Sequence, residues 1–171
     1  MNKKYILYCI FFLCLGAFKA NAIEYELPDI DGKTQSMKQY LGKWVVVNYW
    51  ATWCSTCRKE FPELIALHEN SDDKNIAVVG INFETISNQN LKKFIAHQGI
   101  TYPVLRSVPV PVTAIGKVPA LPATYIIDPE GEVVAGSIGL ITRQDINNYI
   151  AKKKSENTIS NKSKKISYQE R

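Results

Sequence analysis

The chain has 171 residues, of which 46% are hydrophobic and 22% charged, and its formal net charge is +5. This composition fits one globular domain with appendages and excludes a collagen-like or wholly disordered chain. Residues 152–171 carry seven basic and two acidic side chains, whereas residues 23–151 carry eleven basic and fourteen acidic ones, so we expect no nucleic-acid partner for the core.

The N-terminus has the layout of a secretory signal peptide. Met1–Lys4 is basic, residues 5–18 form an apolar run, and Ala20-Asn21-Ala22 supplies small residues for a signal peptidase. The apolar run is short for a membrane-spanning helix. We therefore expect residues 1–22 to be cleaved after Ala22 and the protein to be periplasmic. An uncleaved N-terminal anchor is the alternative.

The four cysteines form two groups. Cys9 and Cys14 lie in the apolar run, without the small residues of a lipoprotein site, and leave with the signal peptide. Cys54 and Cys57 remain. A pair separated by two residues closes too small a loop to stabilise a fold. In an exported protein such a pair is expected to be redox-active.

The first part of the domain predicts short strands and then a buried one. Residues 24–43 hold polar-interrupted segments, with a turn signal at Asp31-Gly32. Ser36 can cap a brief helical turn that ends at Gly42. The β-branched and aromatic run over residues 44–50 predicts a central strand.

Two further strand and helix patterns follow. A helix begins at the cysteine motif and reaches about Asn70, with a kink expected at Pro62. Residues 76–83 predict a second buried strand. Ser87 can cap another helix, and Gly99 provides its stop.

Residues 100–171 begin with an irregular segment, which is followed by a predicted hairpin and a last helix. Residues 100–121 are rich in proline and valine and predict no regular element. Residues 123–128 and 132–137 read as a hairpin, and Thr142 can cap a last helix that runs to about Lys153. The tail, residues 152–171, lacks an apolar period and is expected to be disordered. The element order predicts an α/β fold, with a mixed sheet and helices on both faces.

The cysteine spacing suits thiol chemistry. A thiolate attacks disulfides, and a sulfur at a helix start lies near unpaired N–H groups that favour the anion. Cys54 is thus the expected nucleophile and Cys57, one turn on, the sheltered resolving thiol. A structural zinc site would need four ligands, and His68 and His97 have no matching spacing. We expect no metal site, although copper handling by the thiol pair stays an alternative.

Two longer motifs stand out, NYWATWCSTCRKEFP at residues 48–62 and LPATYIID at residues 121–128, which is followed by Gly131. They resemble the active-site signature and the second signature of the TlpA/ResA/DsbE (CcmG) group of thioredoxin-like proteins. Its N-terminal extension is matched by DIDG at 29–32 and GK at 42–43. The segment 78–104 resembles its helix-containing insert.

This resemblance covers about residues 26–150. It implies a thioredoxin-like fold with a mixed central sheet flanked by helices, an N-terminal β extension and a central insert, in a domain of residues 23–151. It also implies a thiol–disulfide oxidoreductase without a cofactor, whose active pair forms a Cys54–Cys57 disulfide.

The resemblance also assigns roles around the disulfide. Pro122 falls at the group's cis-proline loop, although Pro119 is nearby. The Leu121–Pro122 segment would expose backbone groups that pair with an extended substrate. Trp53 would lie on the same substrate-binding surface.

Glu60 matches an acidic residue of the group, one turn beyond Cys57. In apolar surroundings its carboxyl would have a raised pKa and could exchange a proton with Cys57. An exposed glutamate beside Lys59 is the alternative. Position 48 favours the proton role. Plain thioredoxins carry a buried aspartate there, whereas this chain has Asn48, which cannot transfer a proton in the same way, so Glu60 is the nearest candidate.

The resemblance implies a periplasmic reductase of protein disulfides, for example in cytochrome c maturation, recharged by a membrane thiol carrier of the DsbD/CcdA type. Ser55-Thr56 leaves the direction of electron flow open, so a thiol oxidase or isomerase is an alternative. A copper chaperone is another, and the Trp53-Cys54-x-x-Cys57 pattern argues against a peroxidase. The basic tail could add weak association with anionic lipid.

Overall fold

The computed structural model describes residues 24–69, 75–110 and 112–169, with side chains described as far as Ile159. The predicted signal peptide over residues 1–22 lies outside these residues. Within them, no helix is both long enough and apolar enough to cross a membrane.

A small hairpin forms the N-terminal extension. β1 (Glu26–Pro28) pairs antiparallel with β2 (Thr34–Ser36), and the predicted turn at Asp31-Gly32 joins them. The Ser36 side chain then caps a short 3₁₀ helix, Met37–Tyr40. The predicted turn and cap are both confirmed.

Five strands form the main sheet: β3 (Trp44–Trp50), β4 (Ile76–Phe83), β5 (Val104–Ser107), β6 (Ala123–Ile127) and β7 (Val133–Ile138). Their order across the sheet is β5-β4-β3-β6-β7. β3, β4 and β5 are parallel, whereas β6 is antiparallel to both β3 and β7. Every residue of β3 is buried, as the continuous apolar run predicted for a central strand.

Three α-helices are described: α1 (Ser55–Glu69), α2 (Asn88–Gln98) and α3 (Arg143–Gln169). All three contribute to one core cluster, through Leu64 of α1, Leu91 of α2 and Ile146 of α3. The helices therefore pack on one face of the sheet. The expectation of helices on both faces is wrong, because the chain steps from β3 to β4 to β5 in one direction. Two right-handed crossovers in the same direction lie on the same face.

The opposite face of the sheet is covered by the N-terminal extension and by part of the segment that precedes β6. Val45 and Val47 of β3 pack there with Met37, Ile115 and Val118. Side chains of β3 alternate between the two faces of the sheet and thus contribute to two separate core clusters, one on each side.

The helix ends follow their predicted caps. Ser87 Oγ accepts the N–H of Asn90 at 3.3 Å, and Gly99 ends α2 with a φ of +67°. At the start of α3, Thr142 and Asp145 exchange side-chain to backbone hydrogen bonds in a capping box, so both predicted N-caps are confirmed.

Two elements differ from the prediction. Residues 104–107 form the edge strand β5, in a segment expected to be irregular. A run of four residues is too short to show a strand period in the sequence, and the strand forms because it pairs with β4. α3 continues to Gln169, past the predicted end near Lys153 and through the tail that was expected to be disordered. No glycine or proline interrupts residues 143–169, and Lys153 pairs with Glu156 at 3.0 Å.

Candidate functional site at the carboxyl end of the central strand

The predicted cysteine pair lies where β3 gives way to α1. Cys54 and Cys57 form a disulfide with an S–S distance of 2.10 Å. Cys54 is 5% exposed and Cys57 is fully buried, so Cys54 is the more accessible of the two cysteines. The N–H of Cys57, in the first turn of α1, points to Cys54 Sγ at 3.1 Å. Such a donor at a helix N-terminus favours negative charge on that sulfur once the bond is reduced.

Glu60 lies on the buried side of α1, one turn after Cys57, with 1% of its surface exposed. Its Oε1 accepts a hydrogen bond from Asn48 Nδ2 at 2.7 Å, and its Oε2 accepts one from the N–H of Ile141 at 3.3 Å. Burial raises the pKa of the Glu60 carboxyl to about 7, and the two hydrogen bonds only partly oppose that rise. The expected high pKa is present, and the alternative of an exposed glutamate is wrong.

Asn48 is fixed by its place in β3. It lies opposite Thr124 of β6, and its Nδ2 donates to Thr124 Oγ1 at 3.0 Å as well as to Glu60. Sequence reasoning noted Asn48 only as a residue that cannot transfer a proton. The structure adds that its amide is the donor that holds the buried carboxyl of Glu60.

The expected substrate-binding residues lie around the same end of the sheet. Trp53 is 68% exposed beside Cys54, and Leu121 is half-buried. The Leu121–Pro122 peptide bond is cis, as predicted for Pro122. Pro122 has no N–H, and its carbonyl oxygen already accepts the N–H of Gly139 at 2.8 Å. Any backbone pairing with a substrate therefore falls to Leu121.

Sequence reasoning missed Glu84, which follows the last residue of β4. Its Oε1 accepts the N–H of Thr52 at 2.7 Å, and its Oε2 accepts the Thr52 hydroxyl at 3.1 Å. Asn82 Nδ2 also donates to Glu84 Oε1, at 2.8 Å. Arg58 closes the arrangement from α1 by donating to the Thr52 carbonyl at 2.8 Å. Thr52, two residues before Cys54, is thus hydrogen-bonded through its N–H, its hydroxyl and its carbonyl.

A signal for Glu84 was present in the sequence. Parallel neighbouring strands end at the same edge of a sheet, so an acidic residue directly after the second strand lies beside the loop that follows the first. The β3–β4 register places Trp50 opposite Asn82, which brings Glu84 beside Thr52.

The two histidines, His68 and His97, are exposed. Across residues 24–69, 75–110 and 112–169, no three or more histidine, cysteine, aspartate or glutamate side chains converge in a way that could hold a metal ion.

Comparison with known proteins gives consistent matches. A sequence profile of the AhpC/TSA family matches residues 19–135. The thiol-disulfide oxidoreductase ResA of Bacillus subtilis (strain 168) is 30% identical over 131 residues, which cover 77% of this chain and 73% of that protein.

Two solved structures extend the comparison. One is a DsbF homologue from Corynebacterium diphtheriae, with 32% identity, a TM-score of 0.66 and coverage of 77% of this chain and 85% of that chain. The other is a thiol:disulfide interchange protein of the thioredoxin family from Chlorobium tepidum TLS, with 28% identity, a TM-score of 0.65 and coverage of 75% and 91%. The predicted thioredoxin-like fold is confirmed.

The raised pKa of Glu60 predicts a pH-dependent stability. An unfolded glutamate titrates near 4.5, whereas the folded pKa is about 7, so the folded state binds this proton more tightly. The stabilisation is complete below pH 4.5 and is lost as pH rises to 7, by about 3 kcal/mol in total. Urea unfolding of the oxidised protein across this range should show that loss, and Glu60→Gln should lack it. If the free energy of unfolding depended on pH in the same way in both proteins, the raised pKa of Glu60 would be contradicted.

The contacts of Glu84 predict that it positions the cysteine loop. Glu84→Ala removes three hydrogen bonds at this position and should slow reduction of a small disulfide by about tenfold, because a loop displaced by a fraction of an ångström misaligns the attacking sulfur. Glu84→Gln should retain most of the rate. Its carbonyl oxygen can accept from the Thr52 N–H, and its amide can donate to the Thr52 hydroxyl. Stopped-flow kinetics of the reduced proteins measures both.

Asp128→Ala is the matched control for Glu84→Ala. Asp128 accepts the N–H groups of Glu130 and Glu132 at 3.1 and 2.8 Å in the β6–β7 turn, at the other end of the sheet. Its loss should lower stability without changing the exchange rate. If both alanine variants slow exchange equally, Glu84 acts only through stability.

Proposed function

Since the chain belongs to the AhpC/TSA family and, within it, to the thioredoxin-like thiol–disulfide oxidoreductases related to ResA, we propose that it is an exported reductase of protein disulfides. The observation that carries the proposal is the Cys54–Cys57 disulfide at the start of α1, with the buried carboxyl of Glu60 one turn further on.

Export is inferred from the sequence. Residues 1–22 have a basic start, an apolar run and a small-residue cleavage site, the layout that directs proteins to the secretory pathway. An exported protein with a single mature cysteine pair can keep that pair reduced only if another protein supplies electrons.

The forward reaction starts from the reduced pair. The Cys54 thiolate attacks one sulfur of a substrate disulfide, so that a Cys54–substrate disulfide forms and the other substrate sulfur leaves as a thiolate, which takes a proton. The N–H of Cys57 faces the attacking sulfur and favours its anionic form. The small exposed fraction of Cys54 and the complete burial of Cys57 support Cys54 as the residue that attacks first.

The second step releases the product. Cys57 gives its proton to Glu60 and attacks Cys54 Sγ, which re-forms the Cys54–Cys57 disulfide and expels the second substrate thiolate. Two electrons have then passed from the protein to the substrate. A carboxyl with a pKa of about 7 holds both protonation states near neutral pH, which suits it to accept a proton and return it in the next cycle.

The proposed partners follow from the same chemistry and from the family resemblance. The substrates are protein disulfides in the periplasm, such as those of apocytochrome c during cytochrome c maturation. A membrane thiol carrier of the DsbD/CcdA type returns two electrons to the Cys54–Cys57 disulfide. Trp53 and the Leu121–Pro122 segment would contact the substrate polypeptide, with Leu121 supplying backbone groups.

Trapping tests the reaction and its direction together. Cys57→Ser should accumulate a Cys54–substrate mixed disulfide when a reduced preparation meets a protein disulfide, because the resolving thiol is missing. Cys54→Ser should trap none. Alkylation in intact cells should find the wild-type pair largely reduced. A largely oxidised pair in otherwise normal cells would contradict the reductase and favour an oxidase or isomerase.

A further inference from the structure

Residues 139–143 join the end of β7 to the start of α3, and we call them the 139–143 strap. Every second residue of the strap donates its backbone N–H to a group outside it. The three bonds run from Gly139 to the Pro122 carbonyl at 2.8 Å, from Ile141 to Glu60 Oε2 at 3.3 Å, and from Arg143 to Glu63 Oε2 at 3.0 Å. The strap therefore ties the Leu121–Pro122 segment to α1.

The strap connects the proposed substrate contact with the buried acid. Its first bond holds Pro122, and two residues later its second bond reaches the carboxyl of Glu60. Leu140 lies between these two bonds and is 55% exposed. A polypeptide bound at the Leu121–Pro122 segment meets the strap there and removes apolar surface of Leu140 from water.

The bond from Ile141 to Glu60 is the longest of the three. Its 3.3 Å exceeds the length of about 2.8 Å that is usual for an N–H donor to a charged acceptor, so it can shorten. A shorter bond favours the carboxylate over the protonated acid. Because Glu60 is already only 1% exposed, a bound chain adds little further burial, and the change in this hydrogen bond decides the outcome.

The other groups that face Glu60 leave this bond as the adjustable one. Asn48 on β3 is uncharged, and its bond to Glu60 is already 2.7 Å long. Tyr102 lies before β5. Burial raises the pKa of its hydroxyl, and the negative charge of Glu60 raises it further, so Tyr102 stays protonated while Glu60 titrates. On α1 the neighbours are Cys57, which has no proton to lose in the oxidised protein, and Glu63, which accepts from the strap.

We propose that the 139–143 strap is a positioning element that couples substrate contact at the Leu121–Pro122 segment to the buried carboxyl of Glu60. A bound polypeptide presses on Leu140, shortens the bond between the strap and Glu60, and favours the carboxylate. Glu60 is then in the form that accepts the proton of Cys57 in the second step of exchange. This inference rests on the proposed function, because it concerns the same substrate and the same proton.

A tethered peptide tests the coupling. In Cys57→Ser, Cys54 is joined to a short peptide through the peptide's single cysteine, by displacing pyridinethione from the activated peptide disulfide. The matched control carries mercaptoethanol on Cys54. Carbon-13 NMR titration of Glu60 should give a midpoint about half a pH unit lower with the peptide, a roughly threefold change in proton affinity. Equal midpoints, or a higher one with the peptide, would overturn the proposal.

Gly139→Ala tests whether the strap carries the coupling. Gly139 has a φ of +99°, which alanine disfavours, so the variant displaces the strap and weakens its bond to Glu60. The Glu60 midpoint in the oxidised protein should rise by about half a pH unit, and the tethered peptide should no longer lower it.

Gly42→Ala is the matched control for Gly139→Ala. Gly42 has a φ of +82°, and its N–H also donates to a proline carbonyl, that of Pro129 at 3.0 Å. An added methyl group meets no atom within 4 Å at either glycine. Gly42 lies just before β3, at the opposite end of the sheet, so this variant should keep the wild-type midpoint. Midpoints that move equally in both variants, or in neither, would contradict the role of the strap.

A second pair of variants releases the strap at its other end without backbone strain. Glu63→Ala removes the acceptor of the Arg143 N–H, whereas Glu63→Gln loses the same charge and keeps a carbonyl oxygen there. The Glu60 midpoint should be higher in Glu63→Ala than in Glu63→Gln by about 0.3 pH unit, a roughly twofold change in proton affinity. Equal midpoints in this pair would also overturn the proposal.

These measurements separate the inference from the proposed function. They use the oxidised protein or a chemically prepared conjugate, so they need no electron transfer to a substrate. Midpoints that respond as expected in a protein whose cysteine pair is oxidised in cells would overturn the reductase and keep the strap. Normal reduction of protein disulfides with unresponsive midpoints would do the reverse.

Discussion

The hydrogen bond from Asn48 to Glu60 is the interaction on which the site depends. A carboxyl group with 1% exposure is costly to bury unless donors meet it, and Asn48 supplies one at 2.7 Å from the middle of the central strand. Thr124 fixes the same amide from β6, and the N–H of Ile141 meets the other carboxyl oxygen. One buried acid thereby ties α1 to two strands and to the segment that precedes α3.

The contacts of Glu60 help to fix the position of the Cys54–Cys57 disulfide. Glu60 fixes α1 to the central strand through its hydrogen bond with Asn48. Glu84, at the end of β4, fixes the loop before α1 by accepting the N–H of Thr52. Cys54 lies between these two anchors at the start of the helix, where its sulfur receives a backbone N–H. The accessible sulfur is thus fixed by side chains from two neighbouring strands, and the buried sulfur of Cys57 has a titratable carboxyl one turn away.

Much of this site could be predicted from the sequence, because its signals are local. The apolar run of β3, the Cys-x-x-Cys spacing and the Pro122 signature lie in short contiguous segments. Glu84 was missed because its contact with Thr52 spans 32 residues and depends on which strands are neighbours. The helix placement failed for the same reason, since strand order decides on which face a crossover lies.

The Glu60 carboxyl titrates near neutral pH because it is buried next to Asn48. A carbon-13 NMR titration of the Glu60 side-chain carboxyl in the oxidised, full-length protein measures this directly. The structure predicts a midpoint at about pH 7. A midpoint near the ordinary value of 4.5 would show that water reaches the group, and it would contradict the proposed role of Glu60 as the proton acceptor for Cys57.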